Sequence, residues 1–182
     1  MTLEGTNTYL YGADPCLVID PGTDDPGHLE AIRAAAAERG GIGTVLVTHS
    51  HGDHITGADR LDAPVVQPAG GEQLGGLRAL ATPGHAADHV AFLTDDGVCF
   101  SGDLVLGLGS TIVPPGGNSL AAFIDSLALL AALDSGERSR AVLLTAVWDD
   151  VPPELLPMAA MAMEAHLEKL ESEARLPSDL VE

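Results

Sequence analysis

The sequence predicts an α/β fold, and three observations carry that expectation. Short apolar runs of strand character alternate with helix-like segments from the amino end onward. An Asp95-Asp96-Gly97 hairpin signal joins two of the runs. Strand-like runs also lead into His49, His85 and Asp103, each close to glycine, where an α/β sheet gathers its ligands outside the strand ends. Three strand ends meeting at one edge is therefore the expected site architecture.

The elements follow in order. Asn7-Thr8-Tyr9-Leu10-Tyr11 and Cys16-Leu17-Val18-Ile19-Asp20 read as adjacent strands joined across Gly12-Ala13-Asp14-Pro15. Asp25-Pro26 opens a helix, with Asp as N-cap and Pro in the first turn. It runs through Arg39 and stops at Gly40-Gly41. His28, in its first turn, reads as an exposed surface residue. Thr44-Val45-Leu46-Val47 forms the strand that leads to His49. Ala63-Pro64-Val65-Val66 and Leu77-Arg78-Ala79-Leu80 are short strands. Val90-Ala91-Phe92-Leu93 and Val98-Cys99-Phe100 flank the Asp-Gly turn, and a helix spans Ser119 to Leu133. Two helices broken at Pro152-Pro153 form the tail. There Leu156, Met163, Leu167 and Leu170 recur at helical spacing, as a core or dimer face.

Composition sets bounds. A chain of 182 residues with 46% hydrophobic content supports one packed domain and a small appendage. No apolar stretch reaches the roughly 18 residues needed to span a bilayer. The start, with Glu4 close behind Met1, lacks the basic opening of a signal peptide. Cys16 and Cys99 lie in apolar runs and read as buried free thiols in a reducing cytoplasm. The formal charge of −19 disfavours polyanionic partners. Lys169 is the sole lysine, and the arginines form no basic stripe.

The segment Thr48-His49-Ser50-His51-Gly52-Asp53-His54 sets three imidazoles and one carboxylate close together at a strand end. Imidazole and carboxylate are the ligands that Zn²⁺ and similar borderline metals prefer. His85 follows in Thr82-Pro83-Gly84-His85, and Asp103 in Ser101-Gly102-Asp103. Glycine before each lets the backbone bend sharply and approach a metal. A pair of metals a few ångströms apart lowers the pKa of a shared water and holds the electrophile's oxygen.

His49-Ser50-His51-Gly52-Asp53-His54, then Pro83-Gly84-His85, then Ser101-Gly102-Asp103, resembles the metallo-β-lactamase fold superfamily of hydrolases. The resemblance runs from Gly5-Thr6-Asn7-Thr8-Tyr9-Leu10 through Val18-Ile19-Asp20-Pro21-Gly22 to about Leu133. It implies an αββα sandwich, here incomplete, with a small C-terminal helical appendage. The expected domains are a metallo-β-lactamase-like domain over 1–139 and a winged-helix-like remnant over 140–182. The tail and Ser101-Gly102-Asp103-Leu104-Val105-Leu106-Gly107 are similar to the beta-lactamase-like protein 2 group, whose studied members cut single-stranded RNA. By resemblance, His49, His51 and His85 hold the first metal, Asp53 and His54 the second, and Asp103 bridges both. The bridging water becomes the nucleophile, and Asp53 has a further general acid–base role.

The departures bear on activity. Family members carry one more second-site histidine in a Gly-His turn after the last core strand, and this chain has none. The only histidine after Asp103 is His166, mid-helix between Ala165 and Leu167, which reads as a helix-face residue. By that resemblance the chain reads as truncated at its start and internally deleted. The second metal site is therefore expected to be weak, with zinc the leading cofactor and iron or manganese open alternatives. His89, in Ala87-Asp88-His89-Val90, is either a hydrogen-bonded structural histidine or a partner that orients a metal ligand. Pro114-Pro115-Gly116-Gly117 reads as a connecting loop.

The expected function is a cytoplasmic metal-dependent hydrolase that uses a metal-bound hydroxide on an ester, thioester or phosphodiester. The alternatives are an endoribonuclease on single-stranded RNA and a degenerate member that binds metal but turns over weakly. Expected partners are a small ester or thioester, or single-stranded RNA, with no membrane and a possible homodimer.

Overall fold

A computed structural model describes residues 5–106, 111–115, 119–133, 138–139 and 180–181. The chain divides into two compact units, residues 1–134 and 135–182. In the first unit, β1 (Tyr9–Tyr11), β2 (Cys16–Ile19), β3 (Ile42–Leu46) and β4 (Val65–Val66) form one sheet in the order β1-β2-β3-β4. β1 runs antiparallel to β2, while β2, β3 and β4 are parallel. Parallel β2 and β3 need a crossover, which α1 (Pro26–Ala37) provides. Its N-cap is Asp25, whose carboxylate accepts from the His28 backbone N–H at 2.7 Å.

A second sheet holds β5 (Gln73–Leu74), β6 (Leu77–Ala81), β7 (Val90–Thr94) and β8 (Cys99–Phe100), all antiparallel in chain order. β6 and β8 therefore point the same way and leave the sheet at the same edge. The two-residue β5 carries no periodicity of its own, and the sequence alone does not suggest it. β7 and β8 meet across the expected Asp-Gly turn.

Side-chain alternation builds the layers. Val18 and Val45 face α1 and pack with its Leu29 and Ile32. Their neighbours Ile19 and Leu46 face the opposite way and pack with Leu77, Ala79, Val90 and Phe92 of the second sheet. The result is helix on sheet on sheet, a mixed α/β architecture. The alanine- and leucine-rich α3 (Ser119–Leu133) docks on the loop after β6, where Ser126 Oγ donates to the Pro83 carbonyl at 2.8 Å. A Cβ on Gly84 would stand 2.5 Å from the Phe123 Cα, so only glycine admits that approach.

Cys16 is buried as expected, but Cys99 is exposed because β8 lies at the sheet edge with Phe100 turned inward. In the second unit, β9 (Arg138–Ser139) pairs in parallel with β10 (Leu180–Val181). The expected tail helices, their apolar stripe from Leu156 to Leu170, and His166 lie outside the described residues. Among the described residues, no helix is long and apolar enough to cross a membrane.

Phe92 is the largest wholly buried side chain between the sheets. Its replacement in Phe92→Ala should lower the unfolding free energy by about 3–5 kcal/mol, read as a shift of the urea midpoint.

Candidate metal centre

The expected ligands other than Asp53 come together, but from two sheets rather than one. His49 lies three residues beyond β3 of the first sheet, with Val47, Thr48 and His49 all buried. His85 follows β6 and Asp103 follows β8 of the second sheet, which leave it at one edge. A backbone bond from Val90 N–H to the Thr48 carbonyl, at 2.8 Å, joins the two at the site. His51 caps a one-turn helix, α2 (Gly52–Ile55), that carries Asp53 and His54.

Two groups of ligand atoms converge. His49, His51 and His85 form one; His49, His54 and Asp103 form the other, with donor atoms in each group within 4.8 Å of one another. The His51 Nδ1 stands 3.0 Å from His49 Nε2 and 2.9 Å from His85 Nε2. Asp103 spans both groups, its Oδ1 lying 3.2 Å from His54 Nε2 and its Oδ2 3.4 Å from His85 Nε2. Among the described residues, Asp53 is half-buried and joins neither group.

The surroundings decide which nitrogens are bare. Buried Asp20 accepts from the Thr48 backbone N–H at 2.8 Å and from the Thr48 hydroxyl at 2.7 Å. With its proton committed to a carboxylate, that hydroxyl accepts from His49 Nδ1 at 3.0 Å, which leaves His49 Nε2 as a lone pair. The Ile112 carbonyl accepts from His85 Nδ1 at 2.7 Å, which leaves His85 Nε2 bare as well. Both lone pairs aim at His51 Nδ1, and a single proton there can serve only one. Asp20 Oδ2 also accepts from His54 Nδ1 at 2.9 Å, and the buried His54 Nε2 faces the Asp103 carboxylate.

A cation satisfies the His49, His51 and His85 group where protons do not. Tetrahedral zinc with bonds of about 2.0–2.1 Å sets its ligand atoms about 3.3 Å apart, close to the separations here. The donor set therefore fits a divalent metal ion, with each imidazole's other nitrogen held by a protein partner or free to solvent.

Electrostatics sharpen the contrast between neighbours. Burial, helped by the adjacent imidazoles of His54, His89 and His51, lowers His49 to about 3. Burial also works against a proton on His54, but the carboxylates of Asp103 and Asp20 outweigh it and raise that imidazole to about 9. The His54 imidazole in turn holds Asp103 down at about 2, against the opposing effect of burial.

Asp20 and Thr48 are functional residues that the motif reading leaves out. Their signal is an acid ending an apolar strand, Val18-Ile19-Asp20, beside the strand that leads to the histidines. His89 is buried, with Nδ1 2.8 Å from Thr82 Oγ1 and its ring centroid 5.1 Å from that of His49. It contacts a ligand ring without hydrogen bonding to it, which accords with the structural-histidine alternative. A Cβ on Gly102 would meet His89 Nε2 at 2.7 Å and Thr48 Oγ1 at 2.8 Å, so Asp103 is delivered on a glycine that nothing larger can replace unstrained. His28 is half-buried rather than exposed, because its Nε2 bonds Thr8 Oγ1 at 2.8 Å beside Asp20.

The Metallo-beta-lactamase superfamily pattern matches residues 1–74, and the Beta-lactamase associated winged helix domain matches residues 141–178. The chain carries a metallo-β-lactamase superfamily domain. An atrochrysone carboxyl ACP thioesterase from Aspergillus chevalieri is 36% identical, over 70% of this chain and 48% of its own length. A beta-lactamase-like protein 2 homolog from Drosophila melanogaster is 32% identical, over 62% of this chain and 51% of its own. The chain thus spans about half the length of these curated relatives. Among solved structures, TTHA1623 in a di-iron-bound form is 28% identical, with a TM-score of 0.58 over 70% of this chain and 82% of that one.

The titrations give a pH signature for the metal-free protein. His49 is held neutral, so the unfolded chain binds more protons below the ordinary value of 6.5, and stability falls as pH drops from there towards 3. His54 binds its proton more tightly when folded, so its contribution is complete below 6.5 and is lost as pH rises through about 9. The melting temperature of metal-free protein should therefore peak near neutrality and fall on both sides. His54→Gln should flatten the alkaline side and, because His54 also lowers His49 and Asp103, make the acid side shallower.

Proposed function

We propose that this chain is a metal-dependent hydrolase whose first metal is held by His49, His51 and His85, and whose second is held by His54 and Asp53, with Asp103 shared. The observation that carries the reading is the convergence of bare imidazole nitrogens from separate segments with no proton to satisfy them all. A divalent metal bound there supplies Lewis acidity and a water made nucleophilic near neutral pH. The chain's own residues then divide the work. Asp20 and Thr48 fix which nitrogens face the centre, Asp103 joins the two groups, and Asp53 serves as the proton acceptor. Zinc suits the three-imidazole set; iron is an alternative that the di-iron relative recommends, and manganese also remains in the comparison.

The second site is the weaker one in this proposal. It shares His49 with the first group, Asp53 stands apart from it, and among the described residues no histidine follows Asp103. Zinc titration of the metal-free chain should show one tight step and one weak step. His51→Ala should remove most of the tightly bound metal, measured by elemental analysis. Two equally tight steps, or full metal in His51→Ala, contradict the assignment.

For substrate we favour a small ester or thioester, with support from the thioesterase relative and from the charge of −19. Phosphate binding draws on Lys and Arg contacts, and this chain has 8 such residues against 27 acids. A neutral acyl group feels that field far less. RNA cleavage is the second reading, favoured by the winged-helix match. We assign the working domains close to the expected 1–139 and 140–182, with the boundary moved to 134/135 so that β9 stays with β10, the tail as a homodimer contact and the cytoplasm as the location. Metal-loaded wild type and Asp53→Ala should be compared on a thioester and on single-stranded RNA. Thioester turnover lost by at least 100-fold in Asp53→Ala, with little RNA cleavage, is the expected outcome. Brisk, metal-dependent RNA cleavage abolished in the variant reverses the substrate assignment.

A further inference from the structure

Asp88 occupies a junction that the proposed chemistry leaves without a role. Its Oδ2 accepts from the Ser50 backbone N–H at 3.2 Å and from Gln67 Nε2 at 2.7 Å. Ser50 sits between His49 and His51, Gln67 follows β4, and Asp88 comes three residues after His85. One carboxylate oxygen thus ties the His49–His51 turn of the first sheet to the His85 loop of the second.

The need for such a tie is specific to His51. His49 is oriented by Thr48 and His85 by the Ile112 carbonyl. Among the described residues, the His51 ring bonds only the two imidazoles with which it would share an ion. It is exposed, and among the described residues no other group fixes its ring. Its place is therefore set by the turn that carries it, and the Ser50 N–H is that turn's link to the opposite loop.

We propose that Asp88 is a positioning residue for the three-histidine cluster, holding the His51 turn against the His85 loop through Ser50. A carboxylate acceptor makes a stronger bond than a neutral one, and although Asp88 is exposed, two donors converge on its one oxygen. The inference rests on the metal-site reading of His49, His51 and His85.

The test is cobalt(II) and zinc titration of the metal-free full chain, followed by calorimetry and by the visible cobalt spectrum. Asp88→Ala should weaken the first binding step by about 10- to 100-fold and alter the cobalt bands. Asp88→Asn keeps an oxygen acceptor, and it should stay within roughly threefold of wild type, since only the charge is lost. Gln67→Ala leaves Asp88 in place and should weaken the step by a smaller factor, which keeps the question open to measurement if Asp88→Ala does not fold. Metal-free melts of the variants separate a lost fold from a lost ligand geometry. An Asp88→Ala protein with wild-type affinity and spectrum overturns the proposal, as does Asp88→Asn behaving like Asp88→Ala. A wild-type chain that takes up neither ion overturns the metal-site reading itself, and this inference with it.

Discussion

The buried carboxylate of Asp20 is the constraint on which the rest of the site depends. Its backbone sits at a φ of +49°, a left-handed conformation that costs a non-glycine residue about 1–2 kcal/mol. Burying a charge is more expensive still unless it is fully hydrogen-bonded. Both costs are offset locally. The carboxylate receives the Thr48 amide, the Thr48 hydroxyl and the His54 ring, while its own backbone N–H reaches Leu46. Through those bonds one side chain dictates the tautomer of a histidine in each ligand group. Removing it would leave both rings free to present the wrong nitrogen.

The centre also combines opposite electrostatic tendencies over a short distance. The His49 and His54 ring centroids are 4.1 Å apart, yet in the metal-free protein one ring is pushed towards its neutral form and the other towards its protonated form. The difference follows from carboxylate contact: His54 touches two acids, while His49 reaches Asp20 only through a hydroxyl. The −19 charge of the chain adds a field that gathers small cations and repels polyanions. The same surface therefore favours loading of the centre and narrows what can approach it.

Much of this was legible in the residues. His49, His51, His54, His85 and Asp103 announce themselves by type and by the strand-turn context, and they do meet. The antiparallel β1–β2 pair, the N-cap at Asp25, the β7–β8 hairpin and α3 follow from alternation, capping and turn chemistry. What could not be read was pairing. That β3 belongs to one sheet and β6 and β8 to another depends on long-range register, which a single chain's periodicity does not encode. The role of Asp20 depends on β2 lying beside β3 so that Val18 faces Val45. Cys99 looks buried in its apolar run, but a two-residue edge strand leaves it open. Asp53 has the right neighbours in sequence, yet it stands outside both convergent groups.

The origin of the ligands in two sheets has a thermodynamic meaning of its own. A cation held by His49 and His51 from one sheet and His85 from the other is a cross-link over the core that contains Leu46 and Phe92. Occupancy then becomes part of the folding equilibrium, because an ion bound by the folded chain alone stabilises it in proportion to the logarithm of its free concentration. Sheet packing would tighten or loosen with the ambient supply of the ion, so the lifetime of this protein would report on the metal economy of its surroundings as well as on its own sequence.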